Sequence, residues 1–232
     1  MPKPQVQQRR PHRRGILARP LEALVFLLPL MTFYEITSVR YPDRVIAFDL
    51  LRWFIELFGH AGSLAPGMAV VVILVATHVA SGDQWRVRWR RVGSMYVEAT
   101  LLSLPLLLLN YLIPLSAGRA DSLIGRLALC VGAGIYEELI FRLVFLSVVV
   151  IIGVDILRLD RKNVALAAIL LSALAFAAHH HRPIGVEPFE LARFAFRTLA
   201  GVYLAVVFWF RGYGPAAGCH AAYNVLLVLV RG

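Results

Sequence analysis

The chain has 232 residues, of which 59% are hydrophobic and only 16% are charged. Soluble domains are closer to half apolar and a quarter charged, so this composition excludes a soluble globular protein. A mean hydropathy of +0.70 leaves too few polar side chains to cover a water-facing surface. At about 20 residues for each crossing, the length accommodates roughly six to eight transmembrane helices. A single membrane anchor on a large soluble domain is excluded as well.

The net charge of +10 raises nucleic acid as a partner class, because 24 residues are Lys or Arg and 14 are Asp or Glu. The positions of these charges favour the membrane instead. Basic clusters at Arg13 and Arg14 and in residues 86–91 flank apolar segments, where anionic lipid headgroups lie. The lipid bilayer is therefore the predicted partner of the charges, and no nucleic acid partner is predicted.

Seven apolar segments follow one another along the chain and predict seven transmembrane helices, with an all-α polytopic bundle as the fold class. They cover residues 21–38, 66–80, 92–116, 122–154, 164–180, 191–210 and 214–230. The fourth is about 50 Å long as one helix, so we expect it to tilt, to project beyond the membrane or to break near Gly153. Residues 45–60 have the amphipathic pattern of an interfacial helix, and a helix packed over the mouth of the bundle fits equally well.

One domain is expected, because no internal repeat and no linker interrupts the apolar segments. Residues 1–20 are predicted to be a basic cytoplasmic N-terminal segment, and residues 21–232 a single transmembrane domain. Fourteen basic residues fall on the side of the N-terminus and nine on the other side. By the positive-inside rule, the N-terminus is cytoplasmic and the C-terminus lies on the opposite side.

Ionisable side chains at membrane depth are costly and mark candidate functional sites. Three clusters qualify, all within 122–232, on the fourth, fifth and seventh segments. They are Tyr136-Glu137-Glu138-Leu139-Ile140-Phe141-Arg142, Phe176-Ala177-Ala178-His179-His180-His181 and His220-Ala221-Ala222-Tyr223-Asn224.

Helical geometry separates the two glutamates. Glu138 and Arg142 are four residues apart and share a face, which favours an ion pair between them. Glu137 points about 100° away, beside Ala133 and Gly134, whose small side chains allow another helix to approach closely. A carboxylate without a cation on its own face needs partners from other helices, and in a poorly solvated place it is suited to proton transfer.

The histidines repeat the same four-residue spacing, in His220 and Asn224 and in Phe176 and His180. If Glu137, His180, His220 and Asn224 converge, the site holds a base, two imidazoles and an amide. Such a set can activate water with the carboxylate and one histidine while the other two groups stabilise an oxyanion. Peptide bond hydrolysis is the reaction that this arrangement favours.

Other interpretations fit parts of this pattern. Glu138 and Arg142 alone are typical of a structural clamp, and His179 and His181 of interfacial residues at a helix end. Glutamate and histidine within membrane spans also mark the ion paths of a proton-coupled transporter. A non-catalytic immunity or scaffold protein would use the motifs to hold its helices together. Two histidines and a glutamate are also a competent zinc ligand set, which would make the protein a zinc-dependent protease.

The ordered triple Glu-Glu-x-x-x-Arg, Phe-x-x-x-His and His-x-x-x-Asn, each on its own predicted helix, resembles the CPBP family of intramembrane proteases. This family includes the CAAX prenyl endopeptidases and the bacterial Abi proteins. The resemblance implies a glutamate-dependent endopeptidase without a catalytic metal or other cofactor, acting on a membrane-associated protein or peptide. It also implies a multi-pass protein of the bacterial inner membrane.

Residue by residue, the resemblance assigns Glu137 and His180 to water activation and His220 and Asn224 to the oxyanion. Glu138 and Arg142 become supporting residues. Phe176 and His179 are further candidates, because a shift of one residue would exchange His179 for His180, and the spacing from Phe176 favours His180.

The predicted depths of these residues conflict. The fifth segment runs outward and brings His180 close to the outer surface, whereas His220 lies about seven residues into the seventh segment from the inner side. Both meet Glu137 only if the bundle is deeply indented or a helix start is misplaced.

Overall fold

The computed structural model describes residues 19–40, 64–112 and 122–231. Seven helices account for almost all of them, and no strand occurs in these ranges, so the predicted all-α bundle is confirmed. The helices are α1 Pro20–Arg40, α2 Ala65–Ser81, α3 Trp89–Leu112, α4 Leu123–Ile156, α5 Arg161–Ala178, α6 Leu191–Arg211 and α7 Tyr213–Arg231. The interfacial helix predicted in residues 45–60 and most of the basic segment 1–20 lie outside the described residues.

Six of the seven helices are long and apolar enough to cross a membrane, and α2 is shorter, with 17 residues. Its direction follows from its neighbours. Arg91 of α3 contacts Glu22 of α1 at 3.3 Å, and one turn further the Tyr96 hydroxyl donates to the Phe26 carbonyl at 2.7 Å. Residue numbers rise along both helices from the first contact to the second, so α1 and α3 run parallel. Helix α2 lies between them in the chain and therefore runs antiparallel to both.

Helix α4 does not break at Gly153, because it continues to Ile156. Its hydrogen-bonding pattern changes instead, to π-helical over Leu139–Leu146 and again over Ile151–Ile156. The first change directly follows Glu138, and π-helical turns are frequent at functional sites. At 34 residues, α4 is about 50 Å long, which exceeds the roughly 30 Å thickness of the bilayer core.

Helices α4 and α5 form a long antiparallel hairpin. A Cβ atom on Gly153 would lie 2.6 Å from Val164, so the two helices are in close contact near the turn. Further along, the Ser172 hydroxyl donates to the Phe141 carbonyl at 2.7 Å. Because α5 has 18 residues and α4 has 34, α5 ends beside the middle of α4.

This register removes the conflict in the predicted depths. His180 does not lie at the outer surface, as the sequence predicted, but level with Glu137 near the middle of α4. The reason is the difference in helix length: α4 has 34 residues and α5 has 18, and the two helices meet at Gly153 and Val164, so α5 ends beside Glu137. The bundle is indented at the end of α5.

Helix α7 runs through the centre of the bundle and packs against α1, α3, α4 and α6. Small residues allow this. A Cβ atom on Gly134 of α4 would lie 2.4 Å from the Ala221 nitrogen, and one on Gly218 would lie 2.6 Å from the Phe26 ring and 2.9 Å from Ala99. The predicted close helix approach beside Glu137 is therefore present, and α7 supplies it.

A side chain at position 134 is expected to separate α4 from α7. For Gly134→Leu we expect the free energy of unfolding to fall by at least the roughly 1–3 kcal/mol that is typical of overpacking. The new side chain would collide with the backbone and Cβ of Ala221. Thermal unfolding in detergent measures it. Gly93→Ala on α3 is the control, since nothing lies within 4 Å of a Cβ atom there. Equal stability of the two variants would contradict the packing.

Candidate active site

The core of the site is an ion pair between two fully buried side chains of α4. Arg142 Nη1 lies 2.9 Å from Glu138 Oε1, so the predicted pair is present. Arg142 Nη2 also donates to the Gly201 carbonyl of α6 at 3.1 Å, and the guanidinium lies 4.5 Å from the centre of the Phe176 ring of α5. The pair thus joins three helices, and a buried charge of this kind needs such partners.

Glu138 also orients a histidine of α7. His220 Nδ1 lies 3.0 Å from Glu138 Oε1, and His220 Nε2 lies 3.8 Å from Glu137 Oε2. Because a carboxylate only accepts, Nδ1 carries the proton of this hydrogen bond. The chain of contacts runs from Arg142 through Glu138 and His220 to Glu137.

Two histidines after the end of α5 share one backbone acceptor. The Nδ1 atoms of His179 and His180 lie 2.8 and 2.9 Å from the Phe176 carbonyl oxygen. A carbonyl only accepts, so both Nδ1 atoms are protonated. In a neutral imidazole this leaves the lone pair on Nε2, and the Nε2 atom of His179 lies 4.0 Å from Glu137 Oε1.

Glu137 is the point at which these elements meet. Its carboxylate is buried, with 4% of the residue exposed, and it faces His179 on one side and His220 on the other. Separations of 3.8 and 4.0 Å are too long for direct hydrogen bonds, and polar groups at such separations can share a water molecule. The arrangement therefore suits a carboxylate that acts on a water held between it and an imidazole.

Three of the side chains at the site have the ligand atoms of a metal site. One ligand atom each from Glu137, His179 and His180 lie within 4.8 Å of one another. Zinc accepts nitrogen and carboxylate oxygen ligands, and ligating histidines usually donate their other N–H to a backbone carbonyl, as both do here. The donor set and its orientation thus fit zinc as well as water.

The neutral form of His180 suits a base or a ligand. With the proton of the neutral ring on Nδ1, toward the Phe176 carbonyl, the free lone pair is on Nε2.

The structure does not bring every predicted residue to the same place. Glu137, His179, His180 and His220 converge, with Glu138, Arg142 and Phe176 packed directly behind them. Asn224 lies one turn beyond His220 on α7, half-buried, and its side chain makes no hydrogen bond to any residue in the described ranges. His179, which resembled an interfacial residue in the sequence, is only 2% exposed.

Sequence reasoning missed the connection between α5 and α6, which clamps the histidines. The Glu187 amide donates to the His180 carbonyl at 3.1 Å, and the Gly185 amide donates to the His181 carbonyl at 2.7 Å. A Cβ atom on Gly185 would lie 2.2 Å from the His179 carbonyl oxygen, so only glycine fits there. The four-residue motifs contain no signal for this loop, although Pro183 and Gly185 in close succession could have marked a tight turn.

Glu187 fastens the loop to α6. Its carboxylate accepts from Arg197 in a bidentate pair at 2.8 and 2.9 Å and also contacts Arg193. Burial raises the pKa of Glu187, but the hydrogen bonds and charges of Arg197 and Arg193 together outweigh it and bring the pKa below 4.5. The loop that clamps His180 is therefore held by an ionised carboxylate.

The clamp is expected to loosen in acid. Because the pKa of Glu187 is lowered in the folded state, its ionised carboxylate stabilises the fold at pH values above the ordinary pKa of 4.5. This stabilisation is lost as the pH falls through the lowered pKa. Hydrogen exchange of amides 181–190, corrected for intrinsic rates, should show protection falling below pH 4.5. Glu187→Gln should abolish this pH dependence. Unchanged protection of the wild type down to pH 3 would contradict it.

Comparison with known proteins points to one family. Residues 119–226 match the family model described as Rce1-like, Type II CAAX prenyl endopeptidase Rce1-like. The matched range contains Glu137, His180, His220 and Asn224. No curated protein and no solved structure matches the chain. The match covers somewhat less than half of the chain and agrees with the family predicted from the three motifs, so residues 119–226 of this multi-pass membrane protein are similar to the Rce1-like type II CAAX prenyl endopeptidases.

Proposed function

We propose that this protein is a glutamate-dependent intramembrane endopeptidase that hydrolyses a peptide bond in a membrane-associated protein or peptide without a catalytic metal. The observation that carries the proposal is the position of Glu137, a buried carboxylate 3.8 Å from one imidazole and 4.0 Å from another. The similarity to that family supports the reaction class, a peptidase.

In the proposed reaction, Glu137 and His180 activate the hydrolytic water. The carboxylate accepts a proton from the water as its oxygen attacks the carbonyl carbon of the substrate. His180, neutral and oriented by the Phe176 carbonyl, accepts the second hydrogen bond of the same water. The proton passes to the leaving amine as the C–N bond breaks, so no covalent enzyme intermediate is needed.

His220 and Asn224 are assigned to the oxyanion of the tetrahedral intermediate. To donate from Nε2, His220 has to carry protons on both nitrogens, and the Glu138 carboxylate on Nδ1 stabilises that charged form. Arg142 holds Glu138 in place. The side-chain amide of Asn224, one turn along α7, supplies a second donor on the same side.

The roles of the two adjacent histidines can be separated. We expect His180→Ala to lower kcat by about 10²- to 10⁴-fold, the usual contribution of an acid–base group, and His179→Ala to lower it less. Both variants keep the Phe176 carbonyl, and the resemblance of the Phe-x-x-x-His motif supports position 180 as the base. Rates on one membrane-anchored peptide measure the effect. A greater loss in His179→Ala would assign the base to His179 instead.

The function itself is tested by cleavage. Detergent-purified protein is incubated with a library of membrane-anchored peptides, and new termini are identified by mass spectrometry. We expect internal cleavage that is absent in Glu137→Gln. Proteoliposomes distinguish the transporter alternative, which requires proton-coupled flux without cleavage. The absence of cleavage by a well-folded wild-type protein would contradict the proposal.

A zinc-dependent peptidase is the second candidate, and the convergence of Glu137, His179 and His180 within 4.8 Å favours it. Dialysis against a chelator separates the two candidates. Water activation by glutamate predicts unchanged activity and no stoichiometric zinc in the purified protein. The zinc candidate predicts one zinc per chain, loss of activity on chelation and recovery on addition of Zn²⁺. His179→Ala should then lower the zinc content as well as the activity.

A further inference from the structure

Helix α4 changes its type of helix at the two glutamates of the site. It is α-helical from Leu123 to Glu138 and π-helical from Leu139 to Leu146. In a π-helical turn each backbone N–H bonds to the carbonyl five residues back instead of four, so the turn is wider. Glu137 and Glu138 directly precede this change, and Arg142 lies within it. The directions in which these three side chains point therefore depend on where the change occurs.

Two hydroxyl groups from other helices donate to the α4 backbone on either side of Glu137. The Tyr213 hydroxyl of α7 donates to the Ile135 carbonyl at 2.9 Å, and the Ser172 hydroxyl of α5 donates to the Phe141 carbonyl at 2.7 Å. Tyr213 is 2% exposed and Ser172 is fully buried. These two groups, the bracing hydroxyls, thus hold α4 two residues before Glu137 and four residues after it.

The bracing hydroxyls favour the change of helix type. A helix carbonyl that bonds to a group outside the helix tilts away from the axis, and its bond within the α-helix lengthens. The Leu139 amide is already shared between the carbonyls of Ile135 and Tyr136, so the regular α-helical bond is weakened where Tyr213 donates. Removal of either hydroxyl should therefore let this part of α4 alternate between π-helical and α-helical turns.

Helices α7 and α5 each contact α4 a second time, through a histidine. Tyr213 precedes His220 by seven residues, and Ser172 precedes His179 by seven residues. Seven residues are close to two full turns, so each hydroxyl and its histidine lie on one face of their helix. The imidazoles of His220 and His179 lie 3.8 and 4.0 Å from the Glu137 carboxylate. Each hydroxyl thus fixes the α4 backbone to the helix whose histidine faces Glu137.

We infer that Tyr213 and Ser172 are positioning residues for Glu137, which fix the rotation of α4 against the helices that carry His220 and His179. This role rests on the proposed function of Glu137. The hydroxyls act through the α4 backbone, because both of them bond to carbonyl oxygens of that helix. A shift of a reacting group by about 1 Å can lower the rate about 10²-fold, so the loss of a hydroxyl should be seen in catalysis.

Single hydroxyl deletions test the role by kinetics. Tyr213→Phe and Ser172→Ala should each lower kcat on a membrane-anchored peptide at least about tenfold, while KM stays within about twofold of the wild type. A purely structural hydroxyl would change the unfolding temperature and leave the kcat of the folded protein unaltered. Wild-type kcat in either variant, with Glu137→Gln inactive, would overturn the role of that residue and leave the proposed function intact.

Matched controls remove equivalent hydroxyls away from the site. The Tyr96 hydroxyl also donates to a helix carbonyl, that of Phe26, but it joins α3 to α1, and the site described above has no residue on either helix. Ser103 is fully buried, like Ser172, and its hydroxyl donates to the Thr100 carbonyl of its own helix. Tyr96→Phe and Ser103→Ala should keep the wild-type kcat. A loss in the controls as large as that in Tyr213→Phe and Ser172→Ala would overturn the inference.

Amide hydrogen exchange in detergent tests the hold on α4 without any assay of activity. In Tyr213→Phe and Ser172→Ala, amides 139–146 should exchange at least about tenfold faster than in the wild type, because the turn opens as it alternates. Amides 123–134 of the same helix should be unchanged. Unchanged exchange across 139–146 in both variants would overturn the inference. Absence of cleavage by the wild type, together with the expected exchange, would overturn the proposed function and the positioning role while the hold on α4 stands.

Discussion

Glu137→Gln is expected to abolish proteolysis while leaving the fold intact. Glutamine has nearly the shape of glutamate but cannot accept a proton from water, so kcat should fall by about 10²- to 10⁴-fold. Stability should hardly change, because Glu137 makes no ion pair with an arginine or lysine in the described residues, and its nearest imidazole nitrogens are 3.8 and 4.0 Å away. Turnover of a membrane-anchored peptide and thermal unfolding in detergent measure the two effects.

Glu98→Gln is the matched control for this prediction. Glu98 is also a glutamate on a membrane helix, but it pairs with Arg211 at an exposed place near the end of α6. The Glu98→Gln protein should keep its turnover. Equal activity of Glu137→Gln and the wild type would sink the proposed role of Glu137, and a folding defect in Glu137→Gln would show that its carboxylate is structural.

Much of the bundle follows from the sequence because the bilayer imposes a simple rule. Every backbone group has to be satisfied within a helix, so each long apolar stretch becomes a helix, and the seven predicted segments correspond to α1 to α7. The ion pair of Glu138 and Arg142 was also predictable, since a spacing of four residues places two side chains on one face of a helix.

The depth of the site could not be predicted in this way. Hydropathy gives the length of a segment but not the level at which it starts, and α5 starts beside the C-terminal end of α4. The tertiary contact of Gly153 with Val164 sets that level. The approach of His179 to Glu137 has the same cause, because it depends on where α5 ends and on the loop closed by Glu187.

Glu138→Gln, unlike Glu137→Gln, should destabilise the fold. Glu138→Gln leaves the Arg142 guanidinium fully buried without its carboxylate, and breaking a buried pair in this way costs about 3–5 kcal/mol. Gly201 still accepts from Arg142, and Phe176 still packs on it, but neither carries a full negative charge. We expect a marked fall in the unfolding temperature and, because His220 loses its charged partner, a fall in turnover as well.

The double variant Glu138→Gln with Arg142→Met separates the two losses. Replacing both members of a buried ion pair is often close to neutral, so most of the stability should return. Turnover should stay low, because a neutral amide on Nδ1 stabilises a doubly protonated His220 less than a carboxylate does. Recovery of both properties would show that Glu138 only neutralises Arg142. Full stability of the single variant would contradict the buried pair itself.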